Sequence, residues 1–149
     1  MHFLHNVIVV FKKLSKLLSL KKKPIKRDDW FLQELKREDP HALYQLAVMY
    51  ANGQGYPKDL ERAYELIRQS ANKGYAQAQL RLWSDYGFGR GLTRCSILSY
   101  VWAQLAVDNG LYSAIEVASG AKSKLSSDEL IIAGKLLSGP IESIPVQLD

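Results

Sequence analysis

Residues Tyr50–Asp59 read YANGQGYPKD, and 36 positions later Tyr86–Cys95 read YGFGRGLTRC. In each stretch a tyrosine is followed by a Gly-x-Gly pair and then by a helix-like run. Such glycines serve either a phosphate-cradling loop or a turn. A P-loop needs Lys-Ser/Thr directly after its last glycine, at the start of a helix that follows a strand. A dinucleotide fingerprint also needs a preceding strand and a later acid. Neither GQGYPKD nor GFGRGLT has that spacing, and helical patterns precede both. The glycines therefore read as turns between helices.

The echo extends well beyond the two stretches. A shift of 36 lays Ala42 on Ala78, Leu46 on Leu82, Tyr50 on Tyr86, Gly53 on Gly89 and Gly55 on Gly91. It also lays Tyr64 on Tyr100, Leu66 on Trp102 and Gly74 on Gly110, with no gap. A period of this length marks a stack of supersecondary units. Two full units, 39–74 and 75–110, are flanked by a preceding half and a degenerate following half. Each unit reads as two helices. Ala42, Leu46, Met49 and Tyr50 form one apolar stripe, and Ala63, Leu66, Ile67 and Ser70 form the next. Asp59 is placed to cap the second helix, and Gly74 supplies a left-handed position beyond its end. A helix pair of this kind cannot bury its apolar face alone, so the pairs must stack. The period marks Trp30 and Trp102 as core. The ends close with 29–38, where Asp28 or Asp29 is the cap, and with 127–138, where Ser126 and Glu129 have capping-box spacing.

The pattern Ala-x-x-x-Leu-x-x-x-Tyr-x-x-Gly-x-Gly, then Asp, Ala and Gly, resembles the Sel-one-like repeat. Ala42, Leu46, Tyr50, Gly53, Gly55, Asp59, Ala63, Ala71 and Gly74 carry it in the first unit. Ala78, Leu82, Tyr86, Gly89, Gly91 and Gly110 carry it in the second. The resemblance covers about residues 39–138, and KLSSDELIIAGKLL resembles the terminal helix common in bacterial members. It implies an all-α fold, a right-handed α/α superhelical solenoid of the tetratricopeptide type, spanning 28–138. Two departures stand out in the second unit. Cys95 replaces the capping aspartate, which leaves Thr93 or Ser96 to cap that helix. Trp83 stands where the family usually has glycine and the first unit has Ala47, so its ring must move to the surface or widen a helix crossing.

The net charge of +5 divides unevenly. Residues 1–27 hold Lys12, Lys13, Lys16, Lys21, Lys22, Lys23, Lys26 and Arg27 and no acid, a local charge of +8. The other 12 basic and all 15 acidic side chains leave residues 28–149 at −3. A nucleic-acid-binding core would carry its cations on the folded body, so nucleic acid is not an expected partner. Phe3, Leu4, Val7, Ile8, Val10, Phe11, Leu14, Leu17 and Leu18 give the basic segment a broad apolar helical face. Its longest unbroken apolar run, Val7 to Phe11, is far short of the roughly 20 residues a spanning helix needs. Its charges follow the apolar run and no small-residue cleavage site appears, so a secretory signal fits poorly. Two readings stay open: an interfacial helix on an anionic membrane, held by Lys12, Lys13, Lys16, Lys21, Lys22 and Lys23, or a helix that docks on the body or a partner, or frays. The localisation expected is cytoplasmic, at the inner face of the membrane if the first reading holds. Residues 139–149 are read as a C-terminal tail.

No chemistry-bearing constellation emerges. His2 and His5 lie one turn apart with no carboxylate or cysteine near them, a poor metal site. Cys95 is the only cysteine and reads as a small buried filler. Asp28-Asp29 and Asp128-Glu129 sit at helix starts, where capping explains them. No cofactor, metal, catalytic residue or small-molecule substrate is expected. The hydrolase activity associated with cysteine-rich members is a remote alternative, because their cysteine pairs are missing. What remains is a binding surface for another protein. On the concave face of a solenoid the non-repeat positions are Tyr44, Gln45, Gln79, Arg81, Trp83 and Asp85, with Trp83 foremost because tryptophan often dominates interface energy. The expected role is a non-enzymatic adaptor. The alternative is an immunity protein neutralising a cognate toxin, a role that some small bacterial proteins with this repeat have.

Overall fold

The computed structural model describes residue 35 and residues 37–148. The described residues hold no strand. Helix α1 runs Pro40–Asn52, α2 Leu60–Asn72, α3 Ala76–Phe88 and α4 Ser96–Asp108, each 13 residues long. A 3-10 turn at Tyr112–Ala114 leads into α5, Ile115–Lys122, and then α6, Ser127–Ser138. A second 3-10 turn, Ile141–Ser143, opens the C-terminal segment. The first four helices start and stop at the repeat period, and consecutive helices pack on one another as an α/α solenoid. The Trp30 half-unit lies outside the described residues.

The turns repeat as faithfully as the helices. Gly53 and Gly89 have φ of 68° and 67°, and Gly74 and Gly110 have 87° and 90°. A side chain in this left-handed region meets the following carbonyl, so glycine is the residue that ends these helices at little cost. The Asp59 amide donates to the Tyr50 carbonyl at 3.0 Å, and the Cys95 amide to the Tyr86 carbonyl at 3.1 Å. One hydrogen bond thus closes both loops. The opening stretch is the hinge joining α1 to α2, held by its backbone.

The core runs along the stack through Leu43, Leu66, Ile67, Leu82, Leu98, Val101 and Trp102. Buried Ala42, Ala47, Ala63, Ala78 and Ala103 let the helices approach closely. Trp102 is fully buried, as its period implies. The Ser126–Glu129 capping box forms in both directions, and Asp59 accepts from the Arg62 amide at 2.9 Å.

One cap is added to those expected and one expectation changes. Helix α1 is also capped, by Asp39, which accepts from the Ala42 amide at 2.8 Å. Helix α4 has no side-chain cap at all: neither Thr93 nor Ser96 fills the role, and Cys95 holds the N-cap position without bonding. Cys95 is half-buried against the core, so it fills space only in part. Residues 139–148 are more than a loose tail, because Ile144 is buried and Ile141 and Leu148 pack against the core.

Candidate protein-binding cleft

The six residues expected on one face do not share one. Successive helical residues turn by about 100°. Arg81 and Asp85 on α3 therefore point one way, and Gln79 and Trp83 nearly the opposite way. Tyr44 and Gln45 lie on α1, in a separate cluster. Tyr44 packs on Tyr75 at 5.4 Å between ring centroids, Tyr75 meets His41 at 5.6 Å, and exposed Gln45 bonds to His41 at 3.1 Å. Burial, helped by Tyr44 and Asp39, raises the Tyr75 hydroxyl pKa.

Gln79 is a correction. It is 0% exposed and cannot touch a partner. Its Nε2 donates to the Ala71 carbonyl at 3.0 Å, and its Oε1 accepts from Asn109 Nδ2 at 3.2 Å. It is an internal bracket between the ends of α2 and α4, adding a second donor to a helix-terminal carbonyl that the Gly74 amide also reaches at 3.0 Å. Asp85 is the second correction, at 3% exposure. Arg81 Nε reaches its two oxygens at 2.9 and 3.2 Å. Burial raises the Asp85 pKa, opposed by the charges of Arg81 and Arg90. Arg81 keeps part of its surface and lines a shallow groove of about 520 Å³ with Leu60, Tyr64 and Ile67 of α2.

Trp83 is half-buried, whereas its repeat equivalent Ala47 is fully buried. The large ring at this position has been displaced to the edge of the core, where it packs edge-on against Phe88 at 5.8 Å. Phe88 is 63% exposed, and the Arg90 guanidinium lies 5.2 Å from its ring centroid. Beside the pair a cleft of about 240 Å³ opens between α3, α4 and α5. Gly87, Ser96 and Ser99 line one side and Glu116, Val117 and Gly120 the other, with Arg94 and Lys124 also on its wall. The two lining glycines differ in what surrounds them. A Cβ on Gly87 would stand 3.0 Å from Ser99 Oγ, and one on Gly120 would project into open space.

The aromatic neighbour of Trp83, Phe88, was legible as an anomaly. Phe88 takes the repeat position of Asn52, so an apolar ring replaces a polar residue at the end of a helix. Glu116, Gly120 and Lys124 carried no such signal, because α5 and the turn after it belong to the degenerate half where the period fades; Arg94 sits in the second repeat's loop, at a position the pattern does not fix. The basic residues assigned to a membrane, Lys12, Lys13, Lys16, Lys21, Lys22 and Lys23, lie outside the described residues. Among the described residues no helix is long and apolar enough to cross a membrane, and no three His, Cys, Asp or Glu side chains are grouped to hold a metal.

Comparison with known proteins agrees with this architecture. Residues 40–75 match the sequence model of the Sel1 repeat. A solved structure of a protective antigen present in uropathogenic Escherichia coli strains, displaying an SLR fold, is 27% identical with a TM-score of 0.64. That likeness covers 76% of this chain and 25% of the other, so the chain spans about a quarter of that protein. A Sel1 repeat protein from Oxalobacter formigenes is 21% identical with a TM-score of 0.57, over 70% of this chain and 95% of that one. The second likeness bears on the fold alone. No curated protein matches the chain at a significant level.

Proposed function

We propose that this chain, a Sel1-repeat protein of the SLR fold, is a non-enzymatic adaptor that seats a partner protein in the Trp83–Phe88 cleft. Sel1 repeat proteins are generally protein-interaction modules. The observation that carries the specific reading is a half-buried Trp83 and an exposed Phe88 beside a small open cleft with charged walls. Tryptophan and arginine are the types that most often dominate interface energy. At about 240 Å³ the cleft falls below the roughly 300 Å³ at which ligand pockets usually begin. It suits one inserted side chain better than a cofactor. Arg90, Arg94 and Lys124 outnumber Glu116 around it, so the matching surface is an apolar anchor flanked by acids.

Affinity purification with wild-type chain, Trp83→Ala and Gly120→Leu tests this. The first variant removes the ring, and the second fills the cleft. A co-eluting protein should be lost with both, while circular dichroism stays helical. For the purified partner, Trp83→Ala should weaken binding by about 2 kcal/mol or more, roughly thirtyfold. A partner retained by both variants rules the cleft out. An enzymatic turnover abolished by changing one polar residue would rule out the adaptor role.

A further inference from the structure

Residues 144–148 lie against the repeat body in the manner of a bound peptide. Pro145 disfavours helix at the residue before it, and Ile144 is extended, with φ −66° and ψ 118°. Its side chain is buried at 2% exposure, whereas that of Val146 is 55% exposed and Leu148 turns back toward the core. In a straight strand these three side chains would share one face, so the chain bends at Val146 and Gln147 to return Leu148 to the core. The body holds this segment by its main-chain carbonyls. Arg68 of α2 donates to the Ile144 carbonyl and, at 3.2 Å, to that of Pro145. The Tyr86 hydroxyl of α3 donates to the Val146 carbonyl at 2.8 Å.

These donors are fixed without the segment. The Arg68 guanidinium lies over the Trp102 ring, 5.3 Å from its centroid, and reaches the Tyr86 hydroxyl at 3.3 Å. Tyr64 and Tyr86 hydroxyls bond to each other at 3.2 Å. Without the segment the Arg68 Nη1–Tyr86 and Tyr64–Tyr86 bonds remain, while Arg68 Nη2 and the Tyr86 O–H lose their carbonyl acceptors and are left for another chain's carbonyls or for water. Donors aimed at backbone carbonyls accept any extended chain, and the Ile144 pocket adds a requirement for an apolar side chain before a proline.

We infer that the Arg68–Tyr64–Tyr86 cleft is a peptide-binding site occupied in cis by the chain's own C-terminal segment. Its partner in trans is a protein carrying an extended apolar-Pro-apolar stretch, which replaces the segment. Only the fraction of chains with an open cleft can bind such a partner, so loosening the segment must tighten binding. This inference is independent of the Trp83 cleft, which lies between α3, α4 and α5.

The test uses the full chain and a fluorescent peptide of residues 140–149, followed by anisotropy. Ile144→Ala, which empties the anchoring pocket, should raise peptide affinity about tenfold or more over wild type. Adding Arg68→Ala to that variant should remove the gain, with circular dichroism unchanged. Three results would overturn the proposal. The folded Ile144→Ala chain could fail to bind peptide, making the segment a structural strap. It could unfold, making the segment part of the core. Or it could dimerise in sedimentation and exclude the peptide, in which case a second copy is the occupant.

Discussion

The two repeats share a backbone and differ in how their helices are held. In the first, Asp39 caps α1 and Asp59 caps α2. In the second, Tyr75 and Cys95 stand at the same positions and neither caps. Burial runs the other way. Helix α2 keeps Glu61, Arg62, Glu65 and Gln69 in solvent, while α4 is buried continuously from Leu98 to Ala103. Helix α4 packs against α3, α5 and α6, and α2 packs chiefly against α1 and α3. Packing on three sides supplies α4 with stabilisation that α2 draws partly from its terminus. An N-cap contributes about 1 kcal/mol, whereas burying one large apolar side chain contributes about 1.5–3 kcal/mol.

The contrast is breakable at its strongest point. Trp102→Ala, in α4, should cost about 3–5 kcal/mol through the cavity it leaves. Its equivalent in α2, Leu66→Ala, should fall in the lower part of the roughly 2–5 kcal/mol range for smaller core side chains. Urea denaturation of both variants measures the difference. Equal losses would mean that the two repeats share one evenly distributed core.

A smaller effect sharpens the capping half of the comparison. Asp59→Ala should lower stability by about 1 kcal/mol, because the Arg62 amide loses its acceptor. Cys95→Ala loses no capping bond and should cost roughly half that or less. Thermal unfolding of the pair decides it. A larger loss at Cys95 would show that its partial burial outweighs a cap.

The smallest effect concerns pH. Burial raises the Asp85 pKa despite Arg81 and Arg90. A carboxyl whose proton is held more tightly in the folded chain contributes most below its unfolded pKa of about 3.9. That contribution is lost as pH rises through the raised folded value. The stability of wild type minus that of Asp85→Asn should therefore fall across this window, as read by urea denaturation at a series of pH values. A difference that grows with pH would mean that the ion pair with Arg81 outweighs burial.

The period yielded the two-helix make-up of both repeats, the turn glycines and the core position of Trp102, and capping preference yielded the Asp59 cap. These rest on local backbone geometry and on a spacing that recurs, and both are written in residue order. The candidate cleft was legible only in part. Trp83 stood out because it broke the pattern, but Gln79 and Asp85 looked like surface residues because they are polar. The burial of Gln79 depends on neighbours contributed by other segments, Ala71 and Asn109, whereas Asp85 is paired within its own helix by Arg81.

Sequence by itself determined a stack of helix pairs, since a 36-residue echo of small, apolar and glycine positions admits no other arrangement that buries its apolar stripes. Tertiary structure decided which faces stay open. Helix α5 leaves a cleft beside Trp83, and the Ile144–Leu148 segment folds back across the Tyr64–Arg68–Tyr86 network. Both outcomes depend on contacts between residues dozens of positions apart, and no local pattern in the chain records them.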